Sequence, residues 1–270
     1  RGAAVLATGL AALILALLQG GSAWPWLSWP SLAALGLGGL ALGLFPLTQR
    51  GLAEGVVDLR LLGRPLIRTT ALISCGVGAL LVGLTTYVPT YLETLAKLEP
   101  LQAGVAVMVL ALAWPGASAL AGRGYLRHGF RRTILLGAGI AFLGAACLAA
   151  TGPWPSLARV AGACGVIGLG LGWTAAPSLI AAQSSVEWRE RGMVTGVSMF
   201  ARTAGGSLGA AIYGAIANNL AARGLGAGHY DTMLAAFTWV FAAAAATAGL
   251  MWLACLALPP GRADGPAYTP

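Results

Sequence analysis

An arginine in the middle of a long apolar stretch is the residue of this sequence best placed to do chemistry. Arg202 lies within residues 192–218, which otherwise hold mainly apolar, glycine and hydroxyl-bearing residues. A guanidinium at the centre of a membrane helix costs roughly 2.5–3.5 kcal/mol on insertion scales, so such residues usually face a protein interior or a water-filled cavity. Two interpretations stay open: Arg202 takes part in gating or binding, or it anchors buried hydrogen bonds.

A second set of charged residues forms one short basic stretch. Residues 122–132 contain four arginines and no acid. Because arginine and lysine are retained on the cytoplasmic side in short loops, the stretch predicts a tight cytoplasmic turn between two membrane helices. Six glycines and arginines of this stretch are candidates for a structural or gating motif: Gly122, Arg123, Arg127, Gly129, Arg131 and Arg132.

Polar and aromatic residues inside the apolar runs are candidates for lining a substrate cavity. Aromatic and methionine side chains suit apolar ligands of variable shape, although such residues also serve in packing and in interfacial belts. The candidates are Tyr87, Tyr91, Trp114, Ser118, Trp173, Thr174, Ser178, Ser198, Met199 and Tyr213, together with Arg202.

Small residues at helical spacing predict where two helices approach closely. Gly205 and Gly209 are four residues apart, which is the small-xxx-small pattern of tightly packed membrane helices. Close packing is the simpler interpretation. The functional alternative is that a smooth glycine face lets one helix slide or bend when the protein changes conformation.

Nothing in the sequence supports an enzyme or a nucleic-acid-binding protein. The net charge is +8, but the arginines stand at the ends of apolar runs and no basic face with aromatic residues is available to stack bases. The four cysteines lie inside apolar runs without metal-ligand spacing. With no nucleophile–base pair and no phosphate-binding loop, we expect no catalytic residue, no metal and no cofactor.

The elements that position these residues are membrane helices. The chain is 58% hydrophobic and 9% charged, whereas a soluble domain has roughly 25% charged residues. Runs of this length can cross a bilayer as helices. The sequence therefore predicts an all-α membrane protein with eight transmembrane helices, at residues 3–18, 32–47, 66–91, 103–121, 134–150, 157–182, 192–218 and 232–258.

The distribution of basic residues predicts that both ends of the chain are cytoplasmic. In that orientation the outer loops hold only Lys97, Arg159 and Arg223, as the positive-inside tendency requires. The predicted organisation is an inserted helix pair at 1–47, an amphipathic cytoplasmic linker at 48–67, a six-helix transport half at 68–258 and a disordered tail at 259–270. Because the sequence starts at Arg1, directly before an apolar run, we expect an N-terminal half of the same chain to be missing.

Three segments carry a resemblance to a known family. Residues 122–132 resemble the loop motif of the major facilitator superfamily, although Leu126 stands where the motif has Asp. The turn Gln19-Gly20-Gly21 with Trp24 is similar to that of the inserted helix pair in the fourteen-helix drug–proton antiporter branch. Residues 191–196 and 200–209 resemble a late helix of the same branch.

This resemblance implies a secondary transporter working in the lipid bilayer of a bacterial-type inner membrane. The fold would be a bundle whose last six helices form one half, and transport would proceed by alternating access. The implied function is proton-coupled efflux of small amphipathic or apolar substrates, with the proton-carrying acid in the missing half. An importer, or a metabolite or lipid exporter of the same superfamily, is the alternative.

Overall fold

The described part of the chain is helical apart from short connections. The computed structural model describes residues 8–9, 11–12, 15–16, 28–49, 63–151, 154–223 and 229–259. Its α-helices are α1 (Trp29–Gln49), α2 (Pro65–Leu95), α3 (Pro100–His128), α4 (Phe130–Thr151), α5 (Leu157–Ser184), α6 (Arg191–Arg223) and α7 (His229–Leu256). A 3-10 turn, Trp188–Glu190, joins α5 to α6. The all-helical prediction is confirmed.

Five described helices are long and apolar enough to cross a membrane. They are α2, α3, α4, α5 and the segment Tyr230–Leu256 of α7. Helices suit this role because all their backbone hydrogen bonds are made within the segment, where lipid offers no partner. α6 is 33 residues long, but its glycine, hydroxyl, asparagine and arginine content lowers its hydropathy. The first predicted run lies largely outside the described residues, so the count of eight crossings stays a prediction.

Helix α5 is the central packing element of the bundle. Its backbone lies close to both α3 and α4, because glycines face each neighbour. A Cβ at Gly168 would lie 2.7 Å from the Leu110 carbonyl oxygen on α3, and one at Gly170 would lie 2.6 Å from the Gly137 carbonyl oxygen on α4. Helix α2 packs against α6 and α7, and α7 also packs against α4.

The ends of the helices that hold most of the arginines lie together. Arg64, just before α2, donates from Nη1 to the Ser185 carbonyl oxygen at 3.4 Å and pairs with Glu190 at 3.6 Å. Arg131 at the start of α4 donates to the Leu256 carbonyl oxygen at the end of α7. These contacts support a common basic end of the bundle, and the side of the membrane that it faces stays a prediction.

The stretch predicted to be a turn is itself mostly helical. Residues 122–128 continue α3, residues 130–132 already belong to α4, and Gly129 alone separates the two helices. The tight turn therefore has a single non-helical residue, and its arginines project from helix ends. The helices extend beyond the apolar runs, because backbone hydrogen bonding continues past the point at which charged side chains reach water.

The predicted linker at 48–67 lies mostly outside the described residues and stays a prediction. α2 begins at Pro65, so the last residues of that segment are helical, and residues 48–49 end α1. Residues 51–62, which hold the amphipathic pattern, lie outside the described residues. The predicted tail is likewise described only at Pro259.

Candidate functional site

A seam of glycines brings α2 and α6 into close contact. A Cβ at Gly205 would lie 2.7 Å from the backbone Cα and carbonyl carbon of Cys75, and one at Gly209 would lie 2.7 Å from the Cα of Ala79. Normal carbon–carbon contacts are about 3.5–4.0 Å, so no larger residue fits at either glycine without separating the helices. The two predicted packing glycines therefore meet α2, a helix that the sequence pattern did not identify as their partner.

The same seam fixes the backbone at Arg202. Gly78 of α2 faces the Arg202 carbonyl group, and a Cβ there would lie 2.7 Å from the Arg202 carbonyl carbon and 3.0 Å from the Gly206 nitrogen. Gly78 was not among the predicted site residues. Its spacing of four residues from another small residue, Ser74, is the signal that could have indicated it.

The Arg202 side chain reaches from α6 to a tryptophan on α3. The guanidinium carbon lies 5.4 Å from the centre of the Trp114 ring. A cation within about 6 Å of an aromatic ring face gains roughly 0.5–2 kcal/mol. Because α3 and α6 are not among the closely packed helix pairs, this contact is a side-chain bridge between two separated helices.

One nitrogen of Arg202 is buried without a hydrogen-bond partner among the described residues. That atom is Nε. Among the described residues, an ion pair joins Arg64 to Glu190 at the basic end of the bundle, away from Arg202. In the described part of the chain, the aromatic ring of Trp114 is therefore the contact that stabilises the Arg202 charge.

A cleft beside Arg202 opens along the seam. Its volume is about 470 Å³, within the roughly 300–1,000 Å³ of typical small-molecule pockets. Its lining is mostly apolar, with one guanidinium and two hydroxyl-bearing residues. The lining residues are Gly78, Leu81, Val82, Arg202, Thr203, Ser207 and Ala210.

A pair of tyrosines continues the seam beyond the cleft. Tyr87 donates to the carbonyl oxygen of Ala210, a cleft residue, at 3.4 Å, and its ring meets Tyr213 edge to face at 6.3 Å. Tyr213 in turn donates to the Thr247 hydroxyl on α7 at 2.9 Å. Tyr87 thus joins the site region, while Tyr213 links α6 to α7.

The other predicted cavity residues are dispersed. Tyr91 is fully buried, contacts the rings of Phe237 and Phe241 on α7, and donates to the Thr151 carbonyl oxygen. The backbone and Cβ of Trp173 face Gly137 in the contact between α5 and α4. Met199 is exposed on α6, one helical turn before Arg202. The structure therefore brings Arg202, Trp114 and Tyr87 to the seam and leaves Tyr91 and Trp173 elsewhere.

The basic stretch forms a compact helix–helix corner. Gly129 has φ +81° and ψ 160°, a conformation that is essentially restricted to glycine. The rings of Tyr125 and Phe130 stack across this residue at 4.7 Å. Leu126, in the place of the motif's Asp, is exposed, as are the arginines of the stretch.

The described residues offer no obvious metal-binding group. No cluster of three or more His, Cys, Asp or Glu side chains occurs among them. The four cysteines are unpaired and lie on different helices of the described chain.

Comparison with known proteins places these features in a family context. The model of the Major Facilitator Superfamily matches residues 2–210. The chain is 30% identical over 216 residues to a tetracycline resistance determinant of Streptomyces rimosus, covering 78% of this chain and 61% of that protein. It is 28% identical over 195 residues to the drug efflux pump JefA of Mycobacterium tuberculosis, covering 72% and 37%.

The chain corresponds to only part of these relatives. It spans 33% of an uncharacterized MFS-type transporter of Mycobacterium tuberculosis, to which it is 28% identical over 231 residues, or 83% of this chain. Among solved structures, a bacterial homolog to the human lysosomal transporter Spinster, inward-facing and occupied, aligns with a TM-score of 0.57. That alignment has 15% identity and covers 94% of this chain and 66% of the other, so it shows similarity of fold alone.

Proposed function

This chain belongs to the Major Facilitator Superfamily, and we propose that it is the C-terminal portion of a fourteen-helix transporter that exports small amphipathic molecules by proton-coupled alternating access. Family membership and the five apolar helices indicate a multi-pass membrane transporter and not a typical enzyme. The names of relatives, which include a tetracycline resistance determinant and a drug efflux pump, support efflux as the direction.

The observation that supports this proposal best is the bridge from Arg202 to Trp114 beside the cleft. It places a charged group and an aromatic ring where α3 and α6 are apart, next to the close seam of α2 and α6. A charge inside a membrane bundle is costly and typically marks a substrate or ion pathway. Here that position coincides with a cleft of suitable size for a small molecule.

The proposed mechanism uses both parts of this site. In alternating access, two halves of the transporter rock about a site near the membrane midplane. The glycines of the seam, Gly78, Gly205 and Gly209, present flat backbone surfaces along which α6 shifts against α2. The Arg202–Trp114 bridge holds α3 and α6 in one state and breaks or rearranges as the cleft opens to the other side.

The proton-carrying group is proposed to lie outside this chain. The acids of the described helices and loops lie near helix ends: Glu93, Glu99, Glu187, Glu190 and Asp231. Proton coupling needs a carboxylate whose protonation responds to opening of the cavity. We place it in the N-terminal portion that completes the transporter, with the basic end of this bundle at the cytoplasmic face of the inner membrane.

Dye transport in membrane vesicles tests the proposal. Inside-out vesicles containing the full-length protein are energised with an imposed pH gradient, and uptake of a fluorescent amphipathic dye is followed. We expect gradient-dependent uptake that Arg202→Ala largely removes. Arg68→Ala, an exposed arginine in the first turn of α2, is the matched control and should leave uptake unchanged. Equal uptake with and without the transporter contradicts the proposed function.

A further inference from the structure

We propose that the cleft beside Arg202 binds the carboxylate of an anionic amphipathic molecule and rejects lipophilic cations of the same shape. This inference rests on the proposed transport function and names its substrate class.

The charge of the cleft favours an anion. Arg202 is the single ionisable residue among the lining residues, and no acid of the described chain lines the cleft. A membrane interior has a low dielectric constant, so an unscreened guanidinium attracts a carboxylate and repels an ammonium far more strongly than it would in water. A cationic substrate would have to approach Arg202 without a compensating carboxylate from these residues.

The geometry of the guanidinium suits the two coplanar oxygens of a carboxylate. It presents five donors in a rigid fork that matches a carboxylate in two parallel hydrogen bonds. Arg202 lines the cleft, and the Trp114 ring contacts its cation without accepting a conventional hydrogen bond. A ring face and a carboxylate contact a guanidinium from different directions, so Trp114 does not exclude a carboxylate at Arg202.

The rest of the lining fits an apolar body. Leu81, Val82 and Ala210 provide aliphatic surface next to the charge. A molecule with one carboxylate and an aromatic or aliphatic part can therefore satisfy Arg202 and cover this surface at once. The volume of about 470 Å³ lies within the roughly 300–1,000 Å³ of small-molecule pockets.

A carboxylate could reach Arg202 from two sources: the transported molecule, or a side chain of the remaining portion of the transporter. The two differ in what removal of the charge does. If the substrate supplies the carboxylate, loss of Arg202 penalises anionic substrates selectively. If the protein supplies it, the same loss affects all substrates alike, because the defect lies in the transporter itself.

The experiment compares three molecules that share a naphthyl body and differ in the charge of the head group. Full-length protein in proteoliposomes is assayed with 1-naphthylacetate, 1-naphthylacetamide and 1-naphthylethylammonium. For the wild type we expect kcat/KM for the acetate to exceed that for the ammonium about tenfold or more, since a charge-assisted hydrogen bond is worth that factor or greater. Arg202→Gln should lower acetate transport by about that factor more than it lowers amide transport. Arg202→Lys should restore part of the acetate rate.

Direct binding keeps the inference testable if a variant folds poorly. Purified full-length wild-type protein is titrated with the same three molecules, and the acetate should bind most tightly. Arg68→Gln is the control for loss of a positive charge elsewhere. Tighter binding of the ammonium, equal losses for all three substrates in Arg202→Gln, or no acetate transport by the wild type overturns the inference. Gradient-driven dye uptake in those cases would still uphold the transporter function.

Discussion

Adding one methyl group at the α2–α6 seam should destabilise the protein, while the same change elsewhere on α6 should not. Gly205 faces the backbone of Cys75, and a Cβ there would lie 2.7 Å from two backbone carbons. Backbone atoms cannot swing aside as a flexible side chain can. To restore a normal contact of about 3.5–4.0 Å, the helices must separate by roughly 1 Å.

The size of the effect follows from two opposing terms. Overpacking of a tightly packed contact costs about 1–3 kcal/mol, and replacing glycine by alanine within a helix gains up to about 1 kcal/mol. Gly196 provides the matched control, because it lies on the same helix and a Cβ there meets nothing within 4 Å. Gly196→Ala should therefore show only the gain in helix propensity, without overpacking. The free energy of unfolding of Gly205→Ala should therefore be lower than that of Gly196→Ala by about 1–3 kcal/mol.

The assay is unfolding of the full-length protein in detergent, followed by circular dichroism, for both variants and the wild type. Gly205→Ala should unfold at lower denaturant concentration than Gly196→Ala. Transport of the dye by Gly205→Ala should also fall, because a separated seam changes the position of Arg202. If the two alanine variants unfold at the same denaturant concentration, the backbones of α2 and α6 are not in close contact at Gly205.

Three further substitutions test separate contacts. Tyr213→Phe removes the hydrogen bond to Thr247 and should lower the free energy of unfolding by about 0.5–1.5 kcal/mol, measured by denaturant titration. Gly129→Ala forces a side chain into a conformation that costs about 1–3 kcal/mol, and thermal unfolding should reveal the loss. Arg64→Ala breaks a partly exposed pair with Glu190, so unfolding should shift by less than about 1 kcal/mol.

Two of these expectations have a control variant. For Gly129→Ala it is Gly122→Ala, where the nearest atom to an added Cβ is 3.9 Å away. For Tyr213→Phe it is the same change combined with Thr247→Val, which should add little to the single variant if the two hydroxyls act as a pair. A large loss in Arg64→Ala would mean that the basic end is held together by more than surface ion pairing.

The sequence was sufficient to predict the helices but not their exact ends. The apolar run at 103–121 is short because it stops at the first arginine, whereas α3 continues to His128. Hydropathy marks where side chains leave lipid. The helix itself ends where its backbone bonding stops, which here is at Gly129 and its positive φ.

The sequence also identified one side of the seam without its partner. Arg202, Gly205 and Gly209 stand out by charge and spacing alone. Their contacts, Cys75 and Trp114, lie on helices more than 80 residues away along the chain. Which helices adjoin is a property of the whole bundle, and helices that are apolar on most sides give no periodic signal for it.

Tyr87 and Tyr91 show the same limit within a single helix. Both are aromatic residues near the end of α2, and both were predicted to line a cavity. The structure places Tyr87 against α6 next to the cleft and Tyr91 in the core against α7. One turn further along α2 the neighbouring helix changes, and no pattern within the run indicates that change.

Accessibility of position 203 tests the central claim most directly, namely that the cleft beside Arg202 opens alternately to the two sides of the membrane. Thr203 is exposed and lines the cleft, so Thr203→Cys is introduced into the full-length protein with its native cysteines replaced. Labelling with a membrane-impermeant maleimide is then compared between right-side-out and inside-out vesicles. Alternating access predicts labelling from both sides, with a balance that substrate shifts. Labelling from one side alone, unchanged by substrate, would contradict it.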